Sequence, residues 1–246
     1  MTAEAASPPV SRGELTLTAD GITKHYGQRL VLDSVGFQLL RGELVSLVGP
    51  NGAGKTTLLS VLANVVRPDA GEVSFGGGAK RIGWVPQQPA VYPKLTVAEN
   101  LRLFANLEGI SDVDTAVARM LEQTALGDRA NDLVGRLSGG NKQRMNIAVG
   151  LIADPPVLLL DEPSSALDPR QRERLWEFVL GLVGRGTSVL YSTHIVEEAA
   201  LHSDRLLVLA GGELLYDGGP AELLHEAGGG KDSDRALVRF LEQRGQ

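Results

Sequence analysis

Several features are absent from this sequence or scarce in it, and each of them argues against a class of protein or of partner. The chain contains no cysteine, which rules out disulfides and metal sites built from thiolates. It has no uninterrupted apolar run long enough to cross a bilayer. Acidic residues outnumber basic ones by 30 to 24, so the net charge of -6 gives no electrostatic reason to expect a nucleic-acid partner. The first 13 residues lack the features of a signal peptide, and we expect a disordered leader at 1–13.

What the sequence does contain is a phosphate-binding pattern, GPNGAGKTT at residues 49–57. The apolar run LVSLV before it predicts a buried strand, and TTLLSVLANVV within and after it predicts a helix. Glycines permit a backbone whose N–H groups face one anion, and the helix N-terminus adds to that site. Lys55 would reach the terminal phosphates, while the Thr56 hydroxyl would bind a magnesium ion between them. The candidate phosphate-binding residues are Gly49, Pro50, Asn51, Gly52, Ala53, Gly54, Lys55, Thr56 and Thr57.

A second apolar run, VLLL at 157–160, predicts a buried strand that ends in Asp161 and Glu162. Parallel sheets bind ligands at the carboxyl ends of their strands. Beside a phosphate loop, Asp161 suits a water-mediated magnesium contact, and Glu162 suits a general base for the attacking water. Without such a loop, both residues would be read as turn formers. Another strand ends at His194, which could bind phosphate or attacking water, although a lone histidine here is usually structural.

Three further positions have a functional and a purely structural interpretation. Tyr26 lies in the turn region between two expected antiparallel strands, where it could stack on adenine or be a surface residue. Gln87 follows an expected strand, and it could contact magnesium and the attacking water or be a solvated turn residue. Asp168 precedes a proline and caps an expected helix, and the cap alone would explain it.

The segment LSGGNKQRMNIAVGLI predicts a helix capped by Ser138 and opening with Gly139 and Gly140. Two glycines are unfavourable in a first helical turn. The exposed N–H groups, the positive helix end and the serine hydroxyl would instead make a second anion site. A plain N-cap accounts for Ser138 but leaves the glycine pair unexplained.

The remaining pattern predicts the organisation of the chain. Two half-buried antiparallel strands at 14–20 and 35–39 precede the strand of the phosphate loop. A helical stretch from about 89 to 150 interrupts the alternation of strands and helices, which indicates an inserted lobe. Its first helix opens with Thr96 and Glu99 at the spacing of a capping box. After His194 we expect a strand, a hairpin across two glycines, a helix, a glycine linker and a short amphipathic tail helix.

Taken together, these motifs resemble the ATP-binding cassette (ABC) family over about residues 14–227. The resemblance rests on GPNGAGKTT as Walker A, VPQ at 85–87 as the Q-loop, LSGGN as the signature, VLLLDEP as Walker B, SALD at 165–168 as the D-loop and STH at 192–194 as the switch. It implies an α/β fold with a P-loop NTPase core, in which helices flank a mainly parallel sheet. An N-terminal antiparallel β subdomain, a helical subdomain at about 89–150, and a linker with a short C-terminal helix at 228–246 complete the expected architecture.

The resemblance also implies a function and a set of roles. The chain would bind and hydrolyse ATP with Mg²⁺ and would drive a separate transmembrane permease at the cytoplasmic face of the cell membrane. Two cassettes pair head to tail in this family, so a second nucleotide-binding subunit is expected as a partner, with a homodimer favoured over a pair of different cassettes. The implied roles are catalysis for Glu162, His194 and Gln87, adenine stacking for Tyr26, magnesium binding for Thr56, Gln87 and Asp161, contact in trans with the partner's ATP for Ser138, Gly139, Gly140 and Asn141, and the D-loop for Asp168.

Several alternatives stay open at this point. Asn141 stands where the family usually has glutamine, and its shorter side chain would weaken or shift contacts on the signature side. The stretch 89–109 and the short C-terminal end look most like bacterial exporter cassettes, with importers as the near alternative. A soluble ABC ATPase of iron–sulfur cofactor assembly, or of another non-transport role, is the alternative from a different class. A non-hydrolysing regulatory module would be expected to lack Glu162 or His194.

Overall fold

The computed structural model describes residues 13–76, 82–165, 167–226 and 233–244. Most of the expected leader, the glycines of the expected linker and Ala166 of the D-loop motif lie outside these ranges. The strands are β1 (Leu15–Tyr26), β2 (Arg29–Leu40), β3 (Leu44–Val48), β4 (Ala70–Phe75), β5 (Ile82–Val85), β6 (Val157–Asp161), β7 (Ser188–Thr193), β8 (Arg205–Ala210) and β9 (Glu213–Gly218). The helices are α1 (Lys55–Leu62), α2 (Val97–Leu107), α3 (Val113–Gln123), α4 (Gly139–Leu151), α5 (Pro169–Gly184), α6 (Val196–His202), α7 (Pro220–Glu226) and α8 (Ser233–Glu242).

A six-stranded sheet in the order β5-β6-β7-β3-β8-β9 forms the centre of the fold. Its neighbouring strands are parallel except for β8 and β9, which form the hairpin expected across Gly211 and Gly212. Every residue of β3, β6 and β7 is buried, as required of parallel strands covered on both faces. The α/β fold with a mainly parallel sheet is therefore confirmed. Because these three strands are adjacent, their carboxyl ends lie side by side.

The small antiparallel sheet has the order β2-β1-β4. Its first two strands each run for 12 residues, so the shorter strands that the sequence predicts are wrong in length. A register shift between Ala19 and Ile22 breaks the alternation of buried and exposed residues, which hides the second half of β1 from a pattern search. Tyr26 consequently ends β1 opposite Arg29 and does not lie in the turn.

Helices α2, α3 and α4 share one hydrophobic cluster with part of the central sheet. The predicted capping box starts α2, because Glu99 N donates to Thr96 Oγ1 at 3.2 Å and Thr96 N donates to Glu99 Oε2 at 2.8 Å. Leu101 of α2 and Met120 of α3 are buried in the cluster. Ser138, the predicted cap of α4, stands at the N-terminus of that helix.

The helix after the phosphate loop is shorter than its apolar pattern predicts. It ends at Leu62 and does not continue to Val66. Asn64 has a φ of 57°, and a residue in this left-handed conformation typically ends a helix. At the other end of the chain, Phe240 of α8 is fully buried and packs edge-on against Tyr216, with ring centroids 5.8 Å apart. Of the helices in the described ranges, none has the length and apolar character to cross a bilayer.

Candidate functional site

The phosphate loop, residues 49–57, connects β3 to α1 in the context that the sequence predicts. Gly49 has no room for a side chain, since a Cβ there would lie 2.0 Å from Leu209 O. Gly54 has a φ of 105°, and a Cβ there would lie 2.8 Å from Val31 O. Both positions therefore require glycine for the loop to fold back over the start of α1. The loop also has exposed residues, Pro50 among them, so it can be reached from solvent.

Lys55 points back into this loop. Its Nζ donates hydrogen bonds to Gly49 O at 2.7 Å and to Pro50 O at 3.1 Å, and the residue is only 7% exposed. Burial lowers the pKa of Lys55 from its usual value, while the nearby carboxylates of Glu162 and Asp161 oppose this shift. The ammonium group is thus held in a partly desolvated position in the electrostatic field of both carboxylates.

Thr56 and Asp161 meet beside the loop. Thr56 Oγ1 donates to Asp161 Oδ2 at 2.9 Å, and Asp161 is almost fully buried. The other oxygen, Oδ1, accepts a hydrogen bond of 2.5 Å from Ser192 Oγ. A hydroxyl and a carboxylate so close together are hard oxygen ligands of the kind that Mg²⁺ prefers. Thr57 follows on α1 and is half-buried.

Glu162 has an unusual backbone and a direct contact with His194. Its φ of 48° lies in the left-handed region, which is unfavourable for a residue with a side chain. Its Oε2 lies 2.8 Å from His194 Nδ1. A carboxylate can only accept, so Nδ1 donates, and Nε2 of a neutral ring is left as an acceptor. The imidazole is 53% exposed, whereas the Glu162 side chain is 11% exposed.

Ser192 organises these acidic residues, a role that its position in the sequence does not predict. Its Oγ donates to Asp161 and also accepts a hydrogen bond of 3.0 Å from Glu162 N. One buried hydroxyl on β7 therefore fixes both residues at the end of β6. The feature that could have indicated this role is a hydroxyl residue near the end of a buried strand, because a buried hydroxyl needs hydrogen-bond partners.

Gln87 is exposed in the turn after β5. The buried side chain of Asn146 holds both ends of that turn, since its Nδ2 donates to Pro86 O at 2.8 Å and its Oδ1 accepts from Ala90 N at 3.3 Å. Asn146 belongs to α4, so the turn that carries Gln87 is tied to the helix that Ser138 caps. This role of Asn146 was not predicted; the feature that could have indicated it is an amide side chain among the apolar residues of this helix.

The signature segment, residues 137–141, places Ser138 and Gly139 on the surface and buries Gly140. Ser138 Oγ accepts from Asn141 N at 3.4 Å, a long bond for an N-cap. A Cβ at Gly140 would come within 2.7 Å of Gln171 Cδ, so this glycine allows α5 to approach. The geometry thus contains both a weak cap and an open helix N-terminus.

Asp168 caps α5 as the sequence predicts. Gln171 N donates to Asp168 Oδ1 at 2.9 Å, Asp168 N donates to Gln171 Oε1 at 3.4 Å, and Pro169 occupies the first helical position. Gln171 also packs against Gly140, so it joins Asp168 to the signature segment.

Apart from Tyr26 and Gln87, the predicted site residues fall into two groups. Lys55, Thr56, Asp161, Glu162 and His194 gather at the carboxyl ends of β3, β6 and β7. The signature segment and Asp168 gather at the N-termini of α4 and α5.

The hairpin between β1 and β2 lies beside the phosphate loop. A Cβ at Gly52 would lie 4.0 Å from the Arg29 guanidinium, and Arg29 pairs with Tyr26 across the hairpin. Tyr26 is 52% exposed in this position.

A glycine loop between a buried parallel strand and a helix, with carboxylates at the end of a nearby strand, defines a P-loop nucleotide-binding protein. Residues 32–165 match the family model described as ABC transporter. The Nod factor export ATP-binding protein I of Burkholderia orbicola is 41% identical over 214 residues, which cover 82% of this chain and 70% of that protein. The daunorubicin resistance ATP-binding protein DrrA3 of Streptomyces coeruleorubidus is 38% identical over 227 residues, 88% of this chain and 72% of that protein.

Solved structures agree with this assignment. A structure of an ATP binding subunit of an ABC transporter has a TM-score of 0.81 at 28% identity and covers 92% of this chain and 99% of its own. The dimeric post-hydrolysis state of the cassette MJ0796 bound to ADP and Pi has a TM-score of 0.73 at 28% identity, with 83% and 98% covered. The chain belongs to the ABC transporter family and is an ATP-binding cassette ATPase, so the family and the P-loop NTPase core inferred from the motifs are confirmed.

Proposed function

We propose that this cassette hydrolyses ATP to drive export through a separate membrane permease. The observation that carries the proposal is the contact of 2.8 Å between Glu162 and His194, at the same sheet edge as the loop that holds Lys55. The relatives are named for Nod factor export and for daunorubicin resistance, which favours export over import. They give no support to the alternative of soluble iron–sulfur assembly.

The phosphates of ATP would bind in the loop of residues 49–57. The N–H groups of the loop and the N-terminus of α1 would face the anion. Lys55 would exchange its bonds to the carbonyls of Gly49 and Pro50 for bonds to the terminal phosphate oxygens. Thr57 would add a hydrogen bond to phosphate. Tyr26, half exposed in the hairpin beside the loop, would stack on the adenine.

Magnesium would be held beside this loop by Thr56, Gln87 and Asp161. The donor set fits, because the Thr56 hydroxyl and the Asp161 carboxylate lie within 2.9 Å of each other. Gln87 follows β5, the strand next to the one that Asp161 ends, so it lies at the same sheet edge. Thr56 and Gln87 would be direct ligands, and Asp161 would act through water. Bound there, the ion would neutralise charge on the β- and γ-phosphates.

Glu162 would act as the general base for hydrolysis. It would take a proton from the attacking water as the new bond forms between water oxygen and the γ-phosphorus. The bond from that phosphorus to the bridging oxygen breaks, and ADP leaves with the oxygen and its electron pair. His194 would orient the Glu162 carboxylate through Nδ1, and its Nε2 could accept a hydrogen bond from the same water.

A second copy of the chain would complete the site. Ser138 and Gly139 are exposed on an element separate from the phosphate loop, so one chain would carry two anion sites that a head-to-tail pair would bring together. Ser138, Gly139, Gly140 and Asn141 of one copy would contact the γ-phosphate bound by the other, with Asp168 at the same surface. The dimeric structure of a related cassette with ADP and Pi supports this arrangement.

The permease would place the cassette at the cytoplasmic face of the cell membrane. To test this, the affinity-tagged chain is purified from gently solubilised membranes of its source cells, and the co-purifying proteins are identified by mass spectrometry. We expect a membrane protein with several spanning helices in stoichiometric yield. Recovery of soluble scaffold proteins in place of such a protein would overturn the transport proposal.

A further inference from the structure

Glu198 is a buried carboxylate that the proposed reaction does not use. It lies in α6, four residues after His194, and is 6% exposed. Its Oε2 accepts hydrogen bonds from Ser164 Oγ at 2.7 Å and from Thr193 Oγ1 at 3.3 Å, and its Oε1 accepts from Trp176 Nε1 at 2.6 Å. A buried carboxylate is tolerated only when donors of this kind replace water.

Two of these donors belong to the segments that carry the proposed catalytic residues. Ser164 follows Glu162 by two residues, and Thr193 immediately precedes His194. Both hydroxyls bind the same carboxylate oxygen. Glu198 therefore ties the chain after β6 to the end of β7, in addition to the direct contact between Glu162 and His194.

We propose that Glu198 is a positioning residue, which holds Glu162 and His194 in the geometry that hydrolysis requires. The inference rests on the proposed roles of those two residues. Glu162 has a φ of 48°, and such a conformation persists only where the surroundings fix it. Ser192 Oγ fixes the backbone N of Glu162, and the bond from Ser164 to Glu198 fixes the chain that follows. Loss of the second anchor lets Glu162 relax away from His194.

Helix α5 fixes the orientation of Glu198 itself. Besides the bond from Trp176, the Nε of Arg172 lies 3.8 Å from Oε1, near enough to balance the buried charge but too far for a hydrogen bond. The Trp176 ring is packed between Tyr191 and His202, with centroid distances of 4.6 and 4.9 Å. The indole donor is therefore held in place, and Glu198 has one favourable orientation.

The test uses two variants that weaken or remove the link and one matched control. Glu198→Gln keeps the size of the side chain but removes its charge, and its amide N–H₂ either faces the donor indole N–H or forces both hydroxyls to become acceptors. Ser164→Ala removes only the bond to the segment after Glu162. Tyr191→Phe is the control, since it removes a partly buried hydroxyl bond of 2.9 Å to Ser203 from the same strand β7 without removing a bond to Glu198.

For each variant kcat and KM for magnesium-ATP are measured together with the midpoint of thermal unfolding. We expect Glu198→Gln and Ser164→Ala to lower kcat by about 10- to 100-fold, as small displacements of catalytic groups do. KM should stay within about twofold, because the phosphate loop is untouched. Tyr191→Phe should lower the unfolding midpoint by a similar amount and keep the kcat of the unmodified protein.

An unchanged kcat in both link variants overturns the proposal. The proposal is also overturned if kcat falls in all three variants in proportion to their loss of stability, because that result assigns Glu198 a purely structural role. If Glu198→Gln fails to fold, the comparison of Ser164→Ala with Tyr191→Phe decides. Glu162→Gln in the same assay distinguishes a failure of the proposed function from a failure of the positioning role. Retained turnover in Glu162→Gln refutes the proposed function. Lost turnover in Glu162→Gln, together with normal turnover in the link variants, refutes only the positioning role of Glu198.

Discussion

Glu162 and His194 are 32 residues apart in the sequence, and their side chains meet at 2.8 Å. The contact follows from topology, because β6 and β7 are parallel neighbours and each of the two residues comes directly after the end of its strand. Ser192, on the same end of β7, binds the residues at the end of β6. The two strand ends thereby bring together Glu162, His194 and the hydroxyl of Ser192. Under the proposed roles, single substitutions here should affect turnover far more than ATP binding.

Glu162→Gln should block hydrolysis while preserving ATP binding. The amide keeps the shape of the side chain but cannot take the proton of the attacking water, and general-base catalysis contributes about 100- to 10,000-fold. We expect kcat for phosphate release to fall by at least about 100-fold, with the ATP dissociation constant within about twofold of the unmodified protein. Glu197→Gln, at an exposed position of α6, is the control. Normal turnover of Glu162→Gln would refute the assignment of the base.

Lys55→Ala should abolish tight ATP binding. The ammonium group is already partly desolvated inside the phosphate loop, so its charge acts on phosphate with less screening than in water. We expect the ATP dissociation constant, measured by calorimetry, to rise by at least about 100-fold, which corresponds to about 2.7 kcal/mol. The control is Lys94→Ala, which removes an exposed lysine outside the phosphate loop and should leave ATP binding unchanged. Tight binding by Lys55→Ala contradicts the proposed phosphate site.

Thr56→Val should selectively weaken the binding of magnesium at the site. Valine keeps the shape of the side chain and removes the hydroxyl that lies 2.9 Å from Asp161 Oδ2. We expect the magnesium concentration for half-maximal ATPase activity to rise about tenfold, the effect of about 1.4 kcal/mol of lost ligand energy. Ser60→Ala, which removes a hydroxyl from the exposed side of α1, is the control. An unchanged magnesium titration removes Thr56 from the list of ligands.

Ser138→Ala distinguishes an N-cap from an anion site. Its cap bond is long, at 3.4 Å, so we expect a loss of stability below the usual ~1 kcal/mol for a helix cap. Steady-state ATPase activity should nevertheless fall by about tenfold or more, because a contact to phosphate in trans is lost. Thr96→Ala removes the well-formed capping box of α2 and should show the opposite pattern, with lower stability and unaffected activity. Equal behaviour of the two variants would leave Ser138 as a cap only.

Local chemistry explains what the sequence could predict. The phosphate loop, the capping box at Thr96 and the cap at Asp168 each depend on residues a few positions apart, and each forms as expected. The buried strands β3 and β6 were recognisable from apolar runs alone. The parallel pairing of strands brings Asp161 next to the phosphate loop. The sequence indicated this proximity only because Asp161 stands at the end of a predicted strand.

The features that the sequence could not predict are local backbone conformations and contacts between residues that are distant in the chain. The register shift in β1 and the left-handed Asn64 are backbone features that hydrophobic periodicity does not encode. The bonds of Ser192, Asn146 and Glu198 each join two or more elements, so each of these residues looks ordinary until the elements are packed. Family resemblance supplied the roles of the signature segment, because no single chain shows which phosphate that segment contacts.

The central claim, that two copies of this chain close on ATP, is tested most directly by the mass of Glu162→Gln in solution. Light scattering after size exclusion is recorded with and without magnesium-ATP, and Ser138→Ala in the same background is the control. We predict a monomer without nucleotide, a dimer with magnesium-ATP, and a weakened dimer in the control. A protein that is saturated with ATP and stays monomeric would contradict a composite site formed by two identical cassettes.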